Sequence, residues 1–366
     1  MLADDVYDAF VLVPLYIGMF YKEDLHIHGC ISKKLYKNVM NYLQRILCDF
    51  SDDLSRIDVQ VDGFKIADGE QNIIGTGISC GVDSLTTIYD HYVNENDPDY
   101  KINGLFFYNC GSHGKYGSES EKLFFDRYNL NKAAADELGM PVYLIDSNLH
   151  AFFANIGHDQ NIGHLARWSC ILAVQGGVGK YYLSSTYSYN QITKFGSEID
   201  FAEFSESFSV PLVQTEKCEL IIDGCQYERT RKTEHIADWD IAHKYLNVCV
   251  NASAKGHNCS ICGKCLRTLI ALEAMNKLND FEEVFDINTY RRHSFSYKCN
   301  IVLNKDNDAF DEDNYNFAKS HGMKLPSYFT AYMYFLPSKL KGFTKRSVRK
   351  IIGDKLYENI RHLIRR

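Results

Sequence analysis

The chain of 366 residues is poor in proline, with six, and in tryptophan, with two. So little proline argues against an extended, proline-rich linker or a disordered stalk. A long uninterrupted apolar run is also missing. The longest, Phe10 to Tyr21, is broken by Pro14 and Gly18 and falls short of the roughly 20 residues that a spanning helix needs. It reads as a buried strand. The N-terminus has no basic stretch followed by an apolar core and a small-residue cleavage site, so the cytoplasm is the expected compartment. In such a compartment the twelve cysteines are not a disulfide framework. No repeat or low-complexity tract is evident. With 45% hydrophobic and 24% charged residues, the composition is that of a globular protein with a sizeable core.

Charge is unevenly spread. From Ser338 to the end there are ten Lys or Arg against only Asp354 and Glu358, while the whole chain carries −7. Ile351, Ile352, Leu356, Ile360, Leu363 and Ile364 recur at near-helical spacing. The tail therefore reads as a basic amphipathic helix that either packs on the body or meets RNA, an acidic partner or an anionic surface. A homodimer is compatible with all of this.

Four regions follow from the pattern. Residues 1–70 mix short apolar runs with a helical stretch, Lys33 to Leu47, and form an N-terminal α+β addition. Residues 71–248 alternate strand-like and helical patterns. Strands are expected at Asn72 to Ile78, Gly104 to Asn109, Pro141 to Ile145, Tyr181 to Ser184 and Glu219 to Ile222. Helices are expected from Ser84, over Glu121 to Leu138, over Gly163 to Gln175 and over Lys232 to Leu246. Such alternation builds a parallel, doubly wound α/β sheet, here of five strands. The polar, aromatic stretch Tyr187 to Val210 reads as a long loop over a site. Residues 249–300 carry clustered cysteines and a helix from Lys264 to Asn276, and 301–366 form a C-terminal extension.

The first chemical signal is Ile78-Ser79-Cys80-Gly81-Val82-Asp83-Ser84-Leu85, between the first strand and first helix of the alternating region. Small residues there let backbone N–H groups approach an anion, and the following helix adds its unpaired donors. Ser79 and Ser84 offer hydroxyls to phosphate oxygens. Asp83 either orients the loop or helps to hold Mg²⁺. Cys80 reads as a small apolar filler rather than a nucleophile.

The second signal is Cys249, Cys259, Cys262 and Cys265, spaced C-x9-C-x2-C-x2-C. Four thiolates satisfy tetrahedral Zn²⁺ and leave no position for water, which makes the metal structural. An iron–sulfur cluster takes the same donors. His257 lies inside the loop, and Lys255, Lys264 and Arg267 offset the negative charge of four thiolates.

The first signal resembles the SGGxDS loop of PP-loop ATP pyrophosphatases, with Cys80 where that family has Gly. That resemblance implies ATP and Mg²⁺, an adenine nucleotide alpha hydrolase-like (HUP) sheet, and cleavage of ATP to AMP and pyrophosphate. It assigns Ser79, Cys80, Gly81, Val82, Asp83 and Ser84 to the nucleotide, with Asp83, Ser84 and Lys232 catalytic. Arg229 and Arg231 are weaker candidates beside Lys232. The loop and the four-cysteine knot together look most like the 7-cyano-7-deazaguanine synthase family, ligases that form C–N bonds and need Mg²⁺ and Zn²⁺. The likeness runs from about Ile73 to Leu269 and includes Lys232-Thr233-Glu234 and the Cys262 to Arg267 run. The family's Tyr-Pro-Asp-Cys-Arg run has no match; Ser184 to Asn190 stands in its place. The expectation is a divergent relative with a different acceptor, which is adenylated on a carboxylate or carbonyl. Two other readings stand beside it, a tRNA-thiolating enzyme and a nucleotide sensor without turnover. His113, His158 and His164 are candidate bases, and Tyr187 and Tyr189 candidate platforms for a planar substrate.

Overall fold

In a computed structural model, the protein is described over residues 1–111, 118–157, 159–196, 206–251 and 257–336. The expected tail helix, Lys255, His113 and His158 lie outside the described residues.

Each strand of the alternating region forms where a short apolar run ends at polar residues. They are β3 (Ile73–Gly77), β4 (Gly104–Asn109), β5 (Val142–Asp146), β6 (Val178–Ser184) and β7 (Glu219–Asp223), following β1 (Leu25–Ile31) and β2 (Val59–Phe64) of the N-terminal unit. All neighbouring pairs are parallel, in the order β5-β4-β3-β6-β7. The strand order reverses between β3 and β6, which opens a crevice at the carboxyl ends of these two strands.

Alternation along the strands feeds two cores. Phe106 and Tyr108 of β4, with Tyr181 and Leu183 of β6, face one side of the sheet, whereas Leu105, Phe107 and Tyr182 face the other. The first side is covered by α6 (Asp159–Ala173) together with α1 (Leu12–Tyr21). The second is covered by α4 (Val82–Ile88), α5 (Ser118–Glu137), α9 (Asp240–Tyr245) and α10 (Gly263–Ala274).

The run Phe10 to Tyr21 is a helix, not the expected strand. Leu12, Val13, Leu15, Tyr16 and Met19 are all buried, and a segment apolar on every side carries no period to tell strand from helix. Pro14 sits in the first turn, where its missing N–H costs nothing. Lys22, at φ 61°, ends the helix. The rest of the N-terminal unit pairs β1 (Leu25–Ile31) with β2 (Val59–Phe64) in a two-stranded parallel sheet. Between them runs a helix made of α2 (Lys33–Asn38), a π-helical turn and α3 (Gln44–Phe50). The hydrophobic residues of this unit continue into the α6 side of the main core.

Two further expectations need correction. The stretch after Tyr187 is not all loop, because α7 (Tyr189–Phe195) starts on a capping box formed by Ser188 and Gln191. The helix expected over Lys232 to Leu246 is two short helices, α8 (Arg229–His235) and α9, separated by the turn of residues 236–239. The C-terminal helices α11 (Ile287–Asn304) and α12 (Ala309–Ser320) pack on each other, and α12 lies against α8 and α10. Among the described residues no helix is long and apolar enough to cross a membrane.

Candidate functional site

The Ser79 to Ser84 loop leaves β3 at the crevice where the strand order reverses. Gly81 caps α4 with extended backbone. The Ser79 N–H donates to Ser84 Oγ at 3.1 Å, and the Gly81 N–H donates to Ser79 Oγ at 3.3 Å. Each hydroxyl therefore accepts within the loop and keeps its own proton to donate. Cys80 adopts φ 52°, a conformation that favours glycine. Its carbonyl accepts from the Asn247 N–H at 2.7 Å, and its side chain is buried in the α4 side of the core. Burial pushes the Cys80 thiol up to about 12, which leaves it protonated and unreactive. Val82 is likewise buried in that core.

Asp83 is clamped from α8. Arg229 Nη1 lies 2.6 Å from Asp83 Oδ2, and Lys232 Nζ lies 3.3 Å from Oδ1. Burial pushes the Asp83 carboxyl up, but the Arg229 and Lys232 charges outweigh it and hold the group below its usual range. Lys232, almost fully buried, also donates to the Ser185 carbonyl at 2.5 Å. Next to it, Gly224 at φ 82° ends β7. A Cβ there would stand 3.2 Å from Lys232 Nζ, so glycine fits both the backbone and the lysine. Because both Asp83 oxygens face cations, this carboxylate orients the loop and ties it to α8.

A cleft of about 870 Å³ opens over the loop, within the ~300–1,000 Å³ typical of small-molecule sites. Ser79, Gly81, Asp83 and Ser84 line its floor. Arg127, Arg167, Arg229 and Lys264 line its walls, against Asp83 as the one carboxylate among the described lining residues. This is a cationic cleft on a chain of net charge −7. Lys232 lies beneath it and does not line it. Arg231 turns away to pair with Glu234 at 2.6 Å. Neither Tyr187 nor Tyr189 reaches the cleft: Tyr187 packs on Phe310, and Tyr189 is exposed.

His164 does reach the cleft, and it is held from behind. Its Nδ1 lies 2.7 Å from Glu206 Oε1, and Arg167 Nη2 approaches the same oxygen at 2.9 Å. Glu206 is only 4% exposed. Burial pushes its carboxyl up, but His164 and Arg167 win and hold it below the usual range. Neither Glu206 nor Arg167 belongs to a motif that marks it in the sequence. The one available signal was Arg167 standing three residues after His164 on a helical pattern, where the two share a face.

The four cysteines converge. Sγ–Sγ distances are 3.9 Å for Cys249–Cys262, 4.0 Å for Cys259–Cys265 and 3.5 Å for Cys262–Cys265. Four thiolates around one tetrahedral ion with bonds of about 2.3 Å stand roughly 3.8 Å apart, so the set fits a single metal such as zinc. Backbone N–H groups point at the sulfurs, Cys262 N at Cys259 Sγ (3.3 Å) and Asn251 N at Cys249 Sγ (3.4 Å). At Cys259, burial raises the thiol, but the N–H groups of Ile261 and Cys262 prevail and bring it down to about 6. A four-iron cluster would spread the thiolates over separate irons, which these short distances do not suit. Cys249 and Lys264 also line the cleft, so the cysteine knot forms part of its wall. His257 is not among the clustered donors.

No protein-family model matches the chain, and no curated protein matches it in sequence.

Proposed function

We propose that this protein is an ATP-using enzyme of the PP-loop type, with an adenine nucleotide alpha hydrolase-like sheet. It activates a carboxylate or carbonyl of an acceptor as an adenylate for attack by ammonia or another amine. The observation that carries the reading is the Ser79 to Ser84 loop, set at the reversal of strand order and opening onto a cleft walled by Arg127, Arg167, Arg229 and Lys264. Loop amides and the Ser79 and Ser84 hydroxyls take phosphate oxygens, and the arginines offset the charge of the triphosphate.

The acceptor oxygen attacks the α-phosphorus and pyrophosphate leaves, producing the mixed anhydride with AMP from a carboxylate, or the O-adenylated imidate from an amide carbonyl. The amine then attacks the activated carbon, gives up a proton and expels AMP. Phosphoryl transfer of this kind rests on position and charge, and needs no protein nucleophile. His164, oriented by Glu206, is the group in the cleft suited to receive the amine's proton. Mg²⁺ bound with the phosphates beside the Ser79 to Ser84 loop would supply Lewis-acid stabilisation of the leaving pyrophosphate. Cys249, Cys259, Cys262 and Cys265 would fill all four positions of a zinc ion, whose role would then be structural.

The test is calorimetric titration with α,β-methylene-ATP and Mg²⁺, followed by pyrophosphate release from ATP with ammonia and a panel of carboxylic acids. Binding that weakens in Ser84→Ala, with acid-dependent pyrophosphate release, supports the reading. A protein that folds but does not bind the nucleotide analogue overturns it.

A further inference from the structure

The two-stranded sheet of the N-terminal unit carries a second constellation of donors, far in sequence from the cysteine knot. Along β1, Ile27 and Ile31 turn inward and are buried, which by strand alternation turns His26 and His28 outward together. Two residues apart on a strand, their Cα atoms stand about 6.6 Å from each other, and their rings meet with centroids 4.1 Å apart. On β2, Ile27 pairs with Val61 in parallel register, which brings Asp62 to the same outer face. His26 Nε2 lies 3.1 Å from Asp62 Oδ1. One donor atom from each of the three side chains can be chosen so that all lie within 4.8 Å of one another.

We propose that His26, His28 and Asp62 form a divalent transition-metal site on the outer face of this sheet. Two imidazole nitrogens and one carboxylate oxygen are the donor set of Zn²⁺, Ni²⁺, Co²⁺ or Cu²⁺, and they disfavour Mg²⁺ and Ca²⁺, which take oxygen. Three protein donors leave coordination positions for water or for an outside ligand, in contrast to the closed cysteine knot. The geometry also gives the ion a mechanical role. A two-stranded sheet has little stability of its own, and its register slips between Ile27 and Cys30. A metal taking two donors from β1 and one from β2 crosslinks the strands across the start of that slip, with His26 before it and His28 and Asp62 within it. Ligating imidazoles must be neutral, so protons compete with the metal.

The experiment uses the untagged, full-length protein with its cysteine knot loaded with zinc, titrated with Ni²⁺ at neutral pH by calorimetry. One further equivalent of Ni²⁺ is expected, together with a rise in melting temperature on adding it. In His26→Ala/His28→Ala the added equivalent and the rise both disappear, while the melting temperature without Ni²⁺ and the zinc content stay as in the wild type. Asp62→Asn weakens Ni²⁺ by at least about tenfold, because even a group that only supports a ligand is worth roughly 10–100-fold in metal affinity. No equivalent beyond zinc, or one that persists in the double variant, overturns the proposal. Neither result depends on nucleotide binding or turnover.

Discussion

Lys232 sets its ammonium 3.3 Å from Oδ1 of Asp83 while only 1% of its own surface meets solvent. The first helix after β3 and the helix after β7 are thus joined by a buried charge pair, seconded by Arg229 at 2.6 Å. Removing the lysine leaves Asp83 to Arg229 alone and empties the buried bond to the Ser185 carbonyl. Lys232→Met, similar in length, is expected to lower stability by about 1–3 kcal/mol, less than for a carboxylate left with no cation, and to abolish pyrophosphate release. Urea unfolding beside the release assay checks both. A variant of wild-type stability would mean that the lysine does not hold the loop.

The cysteine knot makes a second prediction. Cys265, fully buried in the core, contributes both a thiolate and packing. Cys265→Ser should lose the metal by elemental analysis and melt at a clearly lower temperature. A strong chelator should reproduce the fall in the wild type and leave the variant unchanged. Because Cys249 also lines the cleft, chelation should weaken nucleotide-analogue binding as well.

Cys80 separates backbone from side chain. At φ 52° an L-residue costs about 1–2 kcal/mol that glycine does not. Its buried side chain returns a comparable amount. Cys80→Gly is therefore expected within about 1 kcal/mol of the wild type, whereas Cys80→Val, β-branched at positive φ, should be strongly destabilised. In the folded protein a thiol pushed up to about 12 should resist a disulfide reagent at pH 8. Rapid labelling of Cys80, read by mass spectrometry, would contradict its burial.

Asp313 of α12 accepts from the Thr230 N–H at 2.9 Å and from the Thr230 hydroxyl at 2.5 Å, at the start of α8. Burial pushes its carboxyl from 3.8 up to about 6. The folded state therefore holds a proton that the unfolded state has released between these values, and stability falls as pH rises through that window. The contribution is fully present below about 4 and gone above about 6. Asp313→Asn keeps one acceptor and turns the other position into a donor that the Thr230 hydroxyl can accept. It should flatten this part of the stability profile, gaining on the order of 1–3 kcal/mol on the wild type at pH 7 relative to pH 4. Parallel profiles for the two proteins would remove Asp313 as the cause.

The sheet was largely legible in the sequence because each of its strands is a short apolar run bounded by polar residues. Gly104 to Asn109 appears with the expected limits, and Glu219 to Ile222 is extended by one residue. The cysteine knot was legible too, since its spacing carries its own geometry. Phe10 to Tyr21 failed because burial on all sides erases the period that distinguishes helix from strand. The break between α8 and α9 carries neither proline nor glycine, so pattern alone ran through it. The site divides in the same way. The loop and its serines are local, but the Arg229 clamp on Asp83 joins residues 146 apart in sequence, and the Glu206 support of His164 spans 42. Both depend on how the layers stack, which no short motif records.

The tie from Asp313 to Thr230 also bears on when the site can exist. Ser79 to Ser84 leave the ribosome early, but Arg229 and Lys232 come about 150 residues later, and the helix that secures their start carries Asp313 later still. A nascent chain thus exposes the Ser79 to Ser84 loop long before it holds the cations that fix it. At roughly 5–20 residues per second of synthesis, that interval lasts on the order of ten seconds or more. The last helices act as a latch on the first loop, and competence arrives only when nearly the whole described chain has emerged.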